Sequence, residues 1–227
     1  MGMEFSAGFW ILALAGAACA LIYGVLLLNK PPSLIRALVK TGFLAGLAGA
    51  FALAGAPAPL VLALAAAAAG DFFLGFDNKL ILPLGILAFL IAQLLYLLMF
   101  FGLWIGAPDG APLFVRYALM ALIVLAALGF LIWMAPKLGW MALAVVPYSI
   151  AITAMASMAM WLPWAGWPAM VGAVSFLASD LVLAAELFRM APDAPARRIT
   201  AQIVWWTYVA AQLLIPWGIV NSLAVMT

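Results

Sequence analysis

Two acidic residues stand where so apolar a chain gives least reason for them. Asp71 closes the run Ala65-Ala66-Ala67-Ala68-Ala69-Gly70, and Asp180 lies in Ala178-Ser179-Asp180-Leu181. A carboxylate in hydrocarbon costs free energy heavily and by default marks a functional site. What such acids do there is proton chemistry, either acid–base catalysis or a proton relay. No nucleophile or metal set competes with them. The chain has no histidine and one cysteine, Cys19, which removes His-based triads, the usual transition-metal sites and any intrachain disulfide. Cys19 reads as packing within the first apolar run, and no cofactor is expected.

Other polar groups reach the same depth. Asp71 lies six positions before Asp77 and Asp180 nine before Arg189, roughly 9–14 Å below the helix ends at ~1.5 Å rise per residue. Lys40 enters that layer from the second apolar run, Tyr208 from the last, and Tyr148 and Ser149 follow Pro147, a kinking residue. Gln93, Tyr96 and Gln212 lie deeper. Each has a plainer alternative: Lys40 can snorkel to the interface, and the two glutamines can bond across helices. Ser149, Thr153 and Ser157 recur every four residues and read as a helix-packing face. Glu186, near a helix end, reads as solvated. For the two aspartates taken together the plain reading is weakest, and the expectation is one cavity opening toward the cytoplasm.

The elements that must position these groups are membrane helices. Hydrophobic residues make up 70% of the 227 and charged residues only 7%, more apolar surface than a soluble fold of this size can hide. A net charge of +2 with no basic tract excludes a nucleic-acid binder. A span needs about 20 apolar residues. Breaks at Pro, Gly and charge clusters predict an all-α, polytopic helix bundle with eight spans: 6–28, 37–55, 58–76, 80–104, 114–134, 139–161, 166–188 and 199–224. The first is too long for a signal-peptide core and reads as retained.

Lys30, Arg36, Lys40, Lys79, Lys137, Arg189, Arg197 and Arg198 flank alternate connections, leaving Arg116 alone on the other side. The positive-inside rule then puts both termini outside the cytoplasm. Trp10, Trp104, Trp161, Trp164 and Trp167 would line the outer interface, and Trp133, Trp140 and Trp205 the inner one.

A weak internal echo relates the two aspartates. Gly70-Asp71-Phe72-Phe73-Leu74 resembles Ser179-Asp180-Leu181-Val182-Leu183, and each is followed one helix later by Ala-Gln-Leu-Leu, at Ala92 and at Ala211. Residues 58–104 and 166–224 read as a duplication inside one domain, 1–227.

These segments also carry a family resemblance. Gly70-Asp71-x-x-Leu74, Leu84-Gly85-x-x-x-Phe89-x-x-x-Gln93-x-x-Tyr96, Ser179-Asp180-x-x-Leu183-Ala184 and Thr207-Tyr208-x-x-Ala211-Gln212 resemble the YhhN family of lysoplasmalogenase-like membrane proteins, over nearly the whole chain. The family commonly has His where this chain has Gln93. The resemblance implies hydrolysis of the vinyl ether bond of lysoplasmalogen-like lysophospholipids, releasing a fatty aldehyde and a glycerophospho-base. That reaction needs a positioned acid and a nearby negative charge but no nucleophilic Ser or Cys. Two carboxyls in a dry site can supply both, with the pair leaving open which aspartate is the acid.

On this reading Asp71 and Asp180 are catalytic. Lys40 meets the phosphate, Tyr96 and Tyr208 hold the water or ether oxygen, and Gln93, Tyr148 and Gln212 support. The partners are the lysophospholipid and membrane lipid, with no nucleic acid, in a bacterial inner membrane. The competing class is a proton-coupled transporter of a small or lipid-like solute, since buried acids and lysines also make relays. No pair of broken helices speaks for it. A two-aspartate membrane protease would need Gly-x-Gly-Asp surroundings that are missing here.

Overall fold

The computed structural model describes residues 3–76, 78, 80–104, 110–191 and 193–226. Among these, every regular element is helical: α1 (Ala7–Ile22), continued by a wide π-helical turn (Tyr23–Leu27), α2 (Leu34–Leu53), α3 (Ala58–Leu74), α4 (Leu82–Gly102), α5 (Leu113–Leu138), α6 (Ala142–Ala159), α7 (Trp167–Phe188) and α8 (Arg197–Met226). Among the described residues six stretches are long and apolar enough to cross a membrane, one of them the 47-residue run Leu113–Ala159 that holds both α5 and α6. Helix α3, with 17 residues, is shorter, about 25 Å against a hydrocarbon core of about 30 Å. Large apolar side chains such as Leu14, Leu21, Val25, Leu98, Phe101 and Leu122 stand exposed. Lipid, unlike water, exacts nothing for that.

The chain divides into two compact units, Met1–Tyr96 and Leu97–Thr227, the division falling within α4. In the first unit α1 lies against α2 and α2 against α3. Glycine permits the approach. A Cβ on Gly46 would fall 2.9 Å from the Gly16 Cα, and one on Gly42 2.8 Å from Cys19 Sγ, so the lone cysteine is a packing contact. Ser6 caps α1 through the Phe9 amide and Ser33 caps α2 through the Arg36 amide; each takes up a donor the first helical turn leaves open. Helix α4 meets α3 where Phe89 covers Gly70 and Leu74 covers Gly85.

In the second unit α5 packs on α6 and α7, and α7 on α8. The α7–α8 seam is the tightest. A Cβ on Gly218 would overlap the Ala169 nitrogen, and one on Gly172 would fall 2.9 Å from the Ile215 nitrogen. Ser179 and Ser175 donate across the same seam to the carbonyls of Val204 and Thr207, at 3.0 and 2.9 Å. Small residues and hydroxyls do in lipid what the hydrophobic effect does in water.

Several boundaries differ from those the sequence suggests. A break was expected at Ala135-Pro136-Lys137, yet α5 runs through Pro136 to Leu138 and ends at Gly139, whose φ of 52° suits a residue without Cβ. Arg197 and Arg198 open α8 instead of preceding it. Trp205, expected at the membrane interface, is only 2% exposed and packs at a tilt against Tyr208, a residue of the protein interior. Glu186 is not simply solvated either, since it accepts a hydrogen bond from Thr200 across the α7–α8 connection. Asp77, Lys79, residues 105–109 and Pro192, where other breaks were placed, lie outside the described residues.

Candidate active site

Asp71 sits in the last turn of α3, where Gly70 lets Phe89 close over the helix. It is 1% exposed and ion-paired with Lys40, Nζ to Oδ1 3.1 Å. Lys40 comes from the second turn of α2, 15% exposed; it reaches inward to the carboxylate, where snorkelling would have taken it to the interface. Tyr23, from the first position of the π-helical turn after α1, lies beside it. The centre of its ring is 5.9 Å from Lys40 Nζ and 5.8 Å from the Arg36 guanidinium carbon. Three helices thus meet at one charged cluster inside the first unit.

Helix α4 adds two polar side chains to the same unit. Gln93 is fully buried one turn beyond Phe89, and neither of its amide atoms has a hydrogen-bond partner among the described residues. Burying an amide in that way costs ~1–3 kcal/mol, so its retention needs a reason beyond packing. Tyr96, also fully buried, follows three positions later on the same helical face.

The second unit holds Asp180, half-buried in α7, which accepts a hydrogen bond from the Tyr148 hydroxyl of α6. Pro147 lies inside α6 beside Tyr148. Tyr208 of α8 is buried edge-on to Phe176, ring centres 5.5 Å apart, and Gln212 is buried one turn further along α8. The hydroxyls of Ser149 and Thr153 turn back onto their own helix, to the carbonyls of Val145 and Ser149. That is packing chemistry. Among the described residues no group of three or more His, Cys, Asp or Glu comes together in a way that could hold a metal.

The structure therefore brings Lys40 to Asp71 and Tyr148 to Asp180. Three residues had more to them than the sequence showed. Tyr23 carried no signal, because which helix α1 packs on cannot be read from α1. Arg36 entered only as an orientation charge, yet it is buried over the Tyr23 ring. Arg116 is likewise buried, donating to the carbonyls of Met160 and Leu162 beyond the end of α6.

Apolar helices with buried, partnered carboxylates define the class: a multi-pass integral membrane protein of all-helical fold. The chain matches the YhhN family over residues 35–219, and it belongs to that family. Curated relatives named lysoplasmalogenase, from Mycobacterium bovis and Mycobacterium tuberculosis, are each 32% identical over 230 residues, covering 93% of this chain and 84% of their own. No solved structure matches.

Proposed function

We propose that this protein is a lysoplasmalogenase-type hydrolase that cleaves the vinyl ether bond of a lysophospholipid by two-aspartate acid catalysis. The observation that carries the proposal is the different partnering of two intramembrane carboxyls, Asp71 with an ammonium and Asp180 with a phenol. It occurs in a chain related to proteins named lysoplasmalogenase.

The partners suggest a division of labour. Asp180, with Tyr148 fixing its orientation, donates its proton to the β-carbon of the vinyl ether. The double-bond electrons form the new C–H bond, and the α-carbon becomes an oxocarbenium centre. Asp71, ion-paired with Lys40, supplies the negative charge that stabilises this cation, an electrostatic role that a dry site magnifies. Water adds to the α-carbon and returns a proton to Asp180. The resulting hemiacetal breaks its bond to the glycerol oxygen, giving aldehyde and alcohol. Gln93 offers both a donor and an acceptor to the water or the ether oxygen, a role Tyr96 and Tyr208 share, with Gln212 in support. An ammonium has three hydrogens, so Lys40 can serve Asp71 and the substrate phosphate together. Eight spans with both termini outside the cytoplasm, in a bacterial inner membrane, complete the reading.

The test is purified protein given a panel of lysolipids, alkenyl, alkyl and acyl, with aldehyde release followed. Release from the alkenyl lipid alone is expected, and Gln93→His should retain it. Proton-coupled flux into proteoliposomes without any turnover would replace this reading by transport.

A further inference from the structure

We infer that Tyr23 is a positioning residue for the Lys40–Asp71 pair: the face of its buried ring holds the ammonium where it meets the carboxylate. The inference rests on the proposed role of Asp71, but its geometry stands alone. Tyr23 is 2% exposed, and its carbonyl closes the π-helical turn by accepting from the Leu28 amide at 2.8 Å. Such wide turns are rare and occur mostly as single turns within helices, frequently at functional sites. Here the turn begins at the residue whose ring meets both cations.

Those cations, Arg36 and Lys40, are four positions apart on α2 and therefore share a face. Their charged ends lie 5.8 and 5.9 Å from the ring centre, within the range at which a ring quadrupole attracts a cation. A lysine on a four-carbon stem has many rotamers and a ready escape toward the headgroups. Asp71 draws Lys40 inward from one helix, and Tyr23 draws it from another. With attraction from two directions, the ammonium is confined and Asp71 Oδ1 keeps one position. Arg36 over the same ring adds a second hold on Tyr23. What the reaction requires of Tyr23 on this account is the aromatic face and not the hydroxyl.

The test compares Tyr23→Phe, which keeps the face, with Tyr23→Leu, which keeps only bulk. A third set carries phenylalanine with successive ring fluorines at position 23, which weakens the quadrupole at nearly constant shape. The first readout is acetylation of Lys40 by acetic anhydride in the detergent-purified full chain, followed by mass spectrometry. Tyr23→Phe should match wild type, whereas Tyr23→Leu should label roughly 3- to 30-fold faster, the span corresponding to a cation–π contact. The fluorinated series should rise stepwise between them, and it decides the matter if Tyr23→Leu does not fold. The second readout is turnover, where kcat should fall in the same order and KM should rise with it, because the ammonium that Tyr23 holds also meets the substrate phosphate. Equal labelling across the series, or a Phe variant as fast to label as the Leu variant, overturns the inference. Should wild type release no aldehyde, the hydrolase reading fails and the labelling series still decides the role of Tyr23.

Discussion

The Phe89 ring occupies the space a side chain at position 70 would need: a Cβ on Gly70 would fall 2.6 Å from two of its carbons. Gly70 is the residue before Asp71, so the contact that docks α4 on α3 also fixes the height of the carboxylate. Gly70→Ala should push the helices apart or displace the ring. The expected cost is about 1–3 kcal/mol, typical of overpacking, with a larger loss of turnover than of stability. Gly70→Ala combined with Phe89→Leu should recover part of both, and thermal unfolding in detergent alongside aldehyde release would show it. An unaffected Gly70→Ala protein would mean that the ring does not set the position of Asp71.

Asp71→Asn and Asp180→Asn keep size and polarity but remove the acid and the charge. Each should lower kcat by at least the roughly 10²–10⁴-fold that general acid–base help contributes. Residues acting as a unit are non-additive, so the double variant should be little worse than either single one. Rate should also rise and fall with pH, since the proposed mechanism needs one carboxyl protonated and the other ionised. Multiplicative losses in the double variant would mean that the two carboxyls act independently.

Lys40→Met removes one half of a buried ion pair. An uncompensated buried charge typically costs about 3–5 kcal/mol, so the melting temperature should drop clearly. Lys40→Met with Asp71→Leu should restore stability, because an apolar pair of similar volume needs no counter-charge, while turnover stays lost. If Lys40→Met melts like wild type, the contact between Nζ and Oδ1 is not an ion pair in the membrane.

Single cysteines at positions 2 and 226, in a Cys19→Ser background, test the orientation read from the basic residues. Both should react with an impermeant thiol reagent added to intact cells. Labelling of both only after permeabilisation would invert the topology, and opposite behaviour at the two ends would break the count of eight spans.

Helix positions were largely legible because 18 or more apolar residues between Pro and Gly clusters leave little choice in a bilayer. The errors have physical causes. Pro136 looks like a stop in the sequence, but proline is tolerated within membrane helices, and the break falls instead at Gly139, where φ is positive. The position of Trp205 near one end of its span gives its depth but says nothing about which way the ring faces; it faces Tyr208. The candidate site was legible as far as intramembrane charge goes, hence Asp71, Asp180 and Lys40. The Lys40–Asp71 and Tyr148–Asp180 partnerships were not, because they join residues 31 and 32 positions apart that only packing brings together.

The α7–α8 seam bears on how the chain is made. Its contacts run from Gly218 against Ala169 at one end to Thr200 on Glu186 at the other, so nearly the full length of α7 is finished only when α8 arrives. Synthesis that stops before α8 would leave Ser175, Ser179 and the bare backbone at Gly172 without the α8 surface they meet in the finished protein, the hydroxyls lacking the carbonyls of Thr207 and Val204. The same glycines that allow close packing in the finished protein would then be bare backbone in an incomplete one, a surface that only α8 covers.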